Sequence, residues 1–288
     1  MLLNPSVTRF AVDANVDKVT LRVGNSFLDV LLFGATVVSW IQDGKERLFL
    51  SNKTVLDGSA PVRGGIPIAF PHFGPSDAFG LPMHGFARIS RWTYLGTQSV
   101  NPSEATVSFA LEPSGVAKEE QGKWPHEFKL IYTVTLMAES LKTSLRVENT
   151  GESSFDFTTV LHNYFAVNNI DNVRVNGLEG KGYYDKVNKL KVPEEHNKLV
   201  SIVTETDRIY YNVHSASVIE GGNASAIVSS ITGFDDVVGW NPWKEKSATL
   251  KDFQEGGYKS MICVEVGKID DPVLLGPGQM WVGTQVIV

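Results

Sequence analysis

The sequence is short of cysteine, of net positive charge and of long apolar runs. One cysteine in 288 residues, Cys263, excludes an internal disulfide and a multi-cysteine metal site, and a reducing compartment suits that count. Lys and Arg number 26 against 32 Asp and Glu, so a formal charge of −6 leaves no extended basic field to attract nucleic acid or an anionic membrane. An anionic ligand would have to be gripped locally. No eighteen uncharged apolar residues run together, and Met1 to Phe10 lacks a basic segment followed by an apolar core. Neither a spanning helix nor a secretory leader is therefore expected, and the expected location is cytoplasmic. No GxGxxG precedes a helix, and GxxxxGK[ST], HExxH and GxSxG are missing, which removes support for nucleotide binding, zinc proteolysis and esterase chemistry. Six scattered histidines give no metal-ligand spacing, so neither metal nor cofactor is expected.

What is present is alternation of apolar and polar residues, with little helical periodicity over eleven or more positions. Strands are expected at Lys18 to Val23, Phe27 to Phe33, Thr36 to Trp40, Trp92 to Leu95, Ala105 to Leu111, Phe128 to Leu136 and Leu141 to Glu148. Further strands are expected at Phe155 to Phe165, Ser201 to Thr204, Ser217 to Glu220, Ala226 to Ile231, Ser260 to Val266 and Gln279 to Val288. Glu112 to Gly122 and Glu179 to Lys198 read as polar loops. Without a linker, repeat or change of composition, residues 1–288 read as one all-β domain, a sandwich or barrel.

Five segments carry residues that call for a structural or a functional reason. Pro61 to Arg88, rich in Gly and Pro, is neither helix nor strand throughout. It is either a structural loop packed by Phe70, Phe73 and Phe86 or a binding loop in which Arg63 and Arg88 grip one anion. His162, in FDFTTVLHNYFAV, shares a period-two face with Thr158, Val160 and Tyr164, as a core histidine or a functional one. Glu265 lies in the apolar run SMICVEVG beside Met261 and Cys263; it is a strand-end carboxylate reaching solvent or a buried base tuned by desolvation. The tryptophans of VVGWNPWKEKS suit a core, and Asp207 suits a hydroxyl acceptor, a turn former or a partner of Arg208.

Together the segments FGATVVSW, LDGSAPVRGGIPIAFPHFG, LPMHGFAR, LKTSLRVENT, VLHNYFAV, TETDRIYYNV, VVGWNPWKEKS, DFQEGGYKSMICVEVG and LGPGQMW resemble the galactose mutarotase superfamily, and within it the hexose-6-phosphate mutarotase branch. The resemblance covers nearly the whole chain. It implies a β-supersandwich of two large antiparallel sheets and an isomerase that interconverts α and β anomers of a hexose 6-phosphate without a cofactor. It further implies His162 and Glu265 as the catalytic acid and base, Arg63 and Arg88 as phosphate ligands, and Asp207 and His84 as substrate contacts. Met83 stands where a relative has glutamine, and a thioether cannot donate, so that contact must come from elsewhere. A free-aldose mutarotase and a non-catalytic sugar-phosphate-binding sandwich remain alternatives. The expected partner is the sugar phosphate alone, with no nucleic acid or membrane, on a monomer.

Overall fold

The computed structural model describes residues 10–15, 17–75 and 79–288, so the sequence reading of the first nine positions and of 76–78 lies outside the described residues. Strands dominate, and every pairing between them is antiparallel. A nine-stranded sheet runs from the edge strand Leu199–Ser201 through Val173–Asn176, Ser215–Glu220, Asn223–Thr232, Met280–Ile287, Leu141–Asn149, Phe128–Met137 and Glu104–Leu111 to Thr93–Val100. An eight-stranded sheet is ordered Leu190–Val192, Tyr183–Asp185, Thr206–Tyr211, Asp236–Asn241, Met261–Leu275, Phe155–Leu161 and Ile68–Ala69, with Tyr164–Ala166 also paired to Met261–Leu275. The expected pair of large sheets is therefore present. A five-stranded sheet, Phe10–Ala14 to Lys45–Glu46, adds to them and is joined to the eight-stranded one by the bridges Val37 to Ile66 and Leu48 to Phe165.

Packing follows the side-chain alternation. Lys18–Val23 and Ser26–Leu31 lie over Glu104–Leu111 and Phe128–Met137, while Met261–Leu275 lies over Asn223–Thr232 and Met280–Ile287. Phe128–Met137 alternates strictly between buried and half-buried positions, one face in the core and one outside. Met261–Leu275 begins differently, with its first seven residues buried on both faces. Ile262, Val264 and Val266 face the nine-stranded sheet in the main core, whereas Met261 and Cys263 pack on the opposite side with Phe49, Tyr164 and Phe253. Burying a valine side chain there contributes about 1.5–3 kcal/mol. Glu265 occupies that second face, where a carboxylate brings no such gain.

The strand readings hold with shifted ends, apart from four segments. Of Ser201 to Thr204 only Ser201 lies in a strand, as the end of Leu199–Ser201. Phe155 to Phe165 is interrupted at His162 and Asn163. The stretch read as a polar loop from Glu179 to Lys198 contains the hairpin Tyr183–Asp185 and Leu190–Val192, and Glu112 to Gly122 runs into a short helix, Lys118–Lys123. Among the described residues no helix is long and apolar enough to cross a membrane.

Candidate active site

Glu265 reaches its place because strand register puts it there. The Met261–Leu275 strand lies between Asp236–Asn241 on one side and the His162 segment on the other, and its second face turns toward a cleft of about 450 Å³. Glu265 is 1 % exposed and His162 is 8 % exposed, so the strand-end reading of Glu265 fails and both groups are desolvated. His162 Nδ1 stands 3.2 Å from Glu265 Oε1. That nitrogen is buried without a hydrogen-bond partner among the described residues, and the side chain lines the cleft. The imidazole stacks on Tyr164 at 4.5 Å between ring centres, with 7° between planes, and meets Trp240 edge-on. Burial, then the charge of Asp207, pushes the Glu265 carboxyl well above the usual carboxylate range. Burial, then His84, Arg63 and Arg88, pushes His162 well below the usual imidazole value. Burial and these neighbours thus oppose charge on either group, and a proton shared between them belongs to the pair.

The Gly-Pro loop supplies the second wall. Its glycines let main chains approach where a side chain would not fit. A Cβ on Gly65, at φ +66°, would lie 2.0 Å from Val37 O, and one on Gly85, at φ +72°, would lie 2.1 Å from Phe70 O. Phe70 and Phe86 are buried, as the structural reading of this loop expects, and Arg63, His84 and Arg88 from the same loop all line the cleft. Arg63 is committed: Nε donates to Asp252 at 3.1 Å and a terminal nitrogen to the Tyr164 hydroxyl at 3.2 Å. Burial opposes its charge, but Tyr164 and Asp252 outweigh burial and raise its pKa. Arg88 is not committed in that way. Its terminal nitrogen donates to Met83 O at 2.8 Å, and its Nε is buried with no partner among the described residues. Burial lowers its pKa to about 10, helped by Arg63, and the guanidinium keeps its charge at neutral pH. Met83 thus contributes its main-chain carbonyl, while its side chain is half exposed. His84 sits at φ +63° and accepts the Gly74 N–H on Nδ1 at 3.0 Å, which places its own proton on Nε2. Burial and then Arg88 push its pKa well down, which favours the neutral imidazole.

The third wall is the pair of strands Tyr183–Asp185 and Thr206–Tyr211. Asp207 is on a strand and its partner is Lys186, at 3.1 Å, rather than the neighbouring Arg208. Its other oxygen, Oδ1, is buried without a hydrogen-bond partner among the described residues and keeps its capacity to accept. Arg208 points the opposite way, to Asp185 at 3.3 Å and Glu195 at 3.6 Å, so ion pairs on both faces hold the two strands in register. All six residues expected from the sequence line one cleft. Lys186, Lys246 and Trp240 also line it and were not among them. Trp240 was read as core, yet it forms a cleft wall against His162. Tyr164, on the same period-two face as His162, was within reach of the sequence pattern, whereas nothing in the Lys-rich stretch around 186 marks that lysine.

His162, Cys263 and Glu265 place ligand-type atoms within 4.8 Å of one another. Burial pushes the Cys263 thiol well above its usual pKa, away from the thiolate a metal requires. Arg63, Arg88, Lys186 and Lys246 line the same cleft, and their field opposes a further cation while favouring an anion. The donor set suits proton transfer beside an anionic ligand better than metal binding.

Comparison with known proteins identifies the family. The family model for aldose 1-epimerase matches residues 17–288. A protein of Cenchrus ciliaris named "Putative glucose-6-phosphate 1-epimerase" is 34% identical over 98% of this chain and 87% of its own length. An Escherichia coli protein of the same name is 36% identical over 81% of this chain and 77% of its own. The crystal structure of a Salmonella typhimurium protein titled a "putative mutarotase" superposes with a TM-score of 0.85 at 27% identity, covering 100% of this chain and 95% of that one. An antiparallel sandwich with a buried His–Glu pair facing a cationic cleft is accompanied by a family match over nearly its whole length, and the chain belongs to the aldose 1-epimerase family.

Proposed function

We propose that the protein interconverts the α and β anomers of a hexose 6-phosphate, with glucose 6-phosphate as the reference substrate, and that the matched stretch works as one catalytic domain. The observation that carries this reading is the His162–Glu265 pair at 3.2 Å in the same cleft as Arg88, whose Nε is buried without a partner and which forms no ion pair with a carboxylate among the described residues. The names of the curated relatives support the phosphorylated substrate.

Glu265, as carboxylate, takes the proton from the C1 hydroxyl while His162, through Nε2, gives one to the ring oxygen. The C1–O5 bond breaks, the C1 carbonyl forms, and the proton count of the protein is unchanged. Rotation about C1–C2 presents the other carbonyl face. The 5-hydroxyl then attacks C1 and returns its proton to His162 as Glu265 reprotonates the C1 oxygen, which restores the starting state. The phosphate has a further role in this scheme. Arg63 and Arg88 are among the charges that hold His162 unprotonated, so a phosphate placed against them favours the imidazolium that the first step uses. Asp207 Oδ1 and His84 Nε2 would hold hydroxyls, and Trp240 would lie against a sugar face.

The decisive experiment is NMR exchange or polarimetry started from pure α-glucose 6-phosphate and, separately, α-glucose. Exchange of the phosphorylated sugar well above the uncatalysed rate is expected, with glucose much slower. Equal acceleration of both sugars would transfer the activity to free aldoses, and saturable binding without exchange would make the protein a binder.

A further inference from the structure

The His162–Glu265 pair stands at a break in the sheet. Leu161 faces Val266 and Tyr164 faces Cys263, so the register continues through the break and sets His162 opposite Glu265 and Asn163 opposite Val264. The His162 N–H goes to Pro67 O and the Tyr164 N–H to Gly65 O, both at 2.9 Å, in register with the Ile68–Ala69 edge, but the Asn163 N–H leaves the ladder with Met261–Leu275 and turns back to Leu161 O at 3.0 Å. The Asn163 side chain spans the gap. Its Nδ2 donates to Val264 O at 3.0 Å, in the place where a main-chain bond would lie.

Asn163 is itself held from the opposite sheet. Its second amide hydrogen goes to Gln285 Oε1 at 2.9 Å, and Gln285 Nε2 returns one to Asn163 Oδ1 at 2.9 Å and one to Thr143 Oγ1 at 3.1 Å. Thr143 lies directly across from Gln285 in the nine-stranded sheet. All three residues are 0 % exposed, so solvent cannot stand in for any partner. Two buried amides between apolar faces are costly unless every hydrogen is used, and here both hydrogens of each are. One mutual orientation satisfies them.

We infer that Asn163, locked by Gln285, is a positioning residue: it ties the turn that carries His162 to the main chain one residue from Glu265, and so sets the separation across which the pair works. The inference rests on the reading of His162 and Glu265 as the acid–base pair. Neither amide lines the cleft, so their substitution removes no contact to the sugar.

Anomer exchange of glucose 6-phosphate, with circular dichroism to verify folding, tests this in Asn163→Leu, Gln285→Met, Glu265→Gln and the double variant Asn163→Leu/Glu265→Gln. Asn163→Leu is expected to lower kcat about 10- to 100-fold with KM within about twofold, the pattern of a misplaced catalytic group. Gln285→Met, which keeps the bond to Val264 and frees the amide that makes it, is expected to fall between this variant and the parent, and it serves alone if Asn163→Leu does not fold. The double variant is expected to be no slower than Glu265→Gln, because without the carboxylate there is no pair to align. Unchanged kcat in a folded variant, a loss carried by KM, or a multiplicative loss in the double variant would overturn the inference. Parental exchange in Glu265→Gln would instead overturn the acid–base reading, and the two failures are told apart by that one control.

Discussion

Glu265 and the two cleft arginines are the residues whose surroundings give opposite instructions to opposite charges. Burial raises the folded pKa of Glu265 above its unfolded value, so the native chain keeps a proton that the unfolded chain gives up as pH rises through the ordinary carboxylate range. Stability from this group is lost as pH climbs from there toward the folded pKa. Glu265→Gln has no such proton, and it is expected to be more stable than the parent at neutral pH, with a flatter stability profile across the same range. Urea unfolding at a series of pH values checks it; parallel profiles would remove the buried charge as the cause. The same substitution is expected to cost roughly 10²- to 10⁴-fold in exchange rate, the usual worth of a positioned acid or base. The arginines are expected to separate. Arg88→Ala removes a charge-assisted contact of about 1.5–3 kcal/mol, so KM for glucose 6-phosphate should rise roughly 10- to 100-fold while glucose is little affected. Arg63→Ala also frees Tyr164, on which His162 stacks, and is expected to lower kcat for both sugars. Steady-state kinetics on the two substrates distinguishes these outcomes.

At the scale of elements, the loop from 61 to 88 and the broken strand before Tyr164 do most to shape the cleft. Gly65 allows the loop to run against Val37, and Gly65→Ala must displace a main-chain carbonyl from contact at a positive φ. A loss of about 2–4 kcal/mol is expected, read as a lower urea midpoint with unchanged slope; a midpoint within error of the parent would mean that the loop rearranges at no cost. How far these elements were legible follows from how local their causes are. Strands such as Lys18–Val23 and Phe128–Met137 carry their pattern in their own alternation. The hairpin Tyr183–Asp185 and Leu190–Val192 does not, because it is short and half exposed and is held by Arg208 from another strand. Trp240, expected in the core, packs against Tyr164 and also lines the cleft, and only the first role is legible in the sequence. A large aromatic in an apolar run looks the same to the sequence whether the space beside it is filled by protein or left for a sugar. Glu265 was legible as an anomaly because a carboxylate in such a run has few explanations, while its distance from His162 depends on a register set across two strands.

The whole molecule reconciles an acidic surface with a cationic interior cleft. A chain of net charge −6 gathers Arg63, Arg88, Lys186 and Lys246 around one space, against Glu205, Asp207 and Glu265. Three sheets make this possible, since the nine-stranded one backs both of the others and leaves the second face of Met261–Leu275 free to line a site. That arrangement also bears on where atoms go during turnover. His162 and Glu265 are almost wholly withdrawn from solvent, so an aldehyde formed between them would meet the groups that reclose it before it met bulk water. Hydration of the aldehyde is the step by which the C1 oxygen would be lost. An oxygen-18 label at C1 of glucose 6-phosphate is therefore expected to survive many enzyme-catalysed inversions, washing out no faster per unit time than in protein-free buffer. Mass spectrometry beside the NMR exchange rate would read it, and label lost in step with inversion would mean that water enters the cleft with the open chain. The depth of His162 and Glu265 would then govern isotopic memory: the sugar would forget its configuration long before it forgets its oxygen.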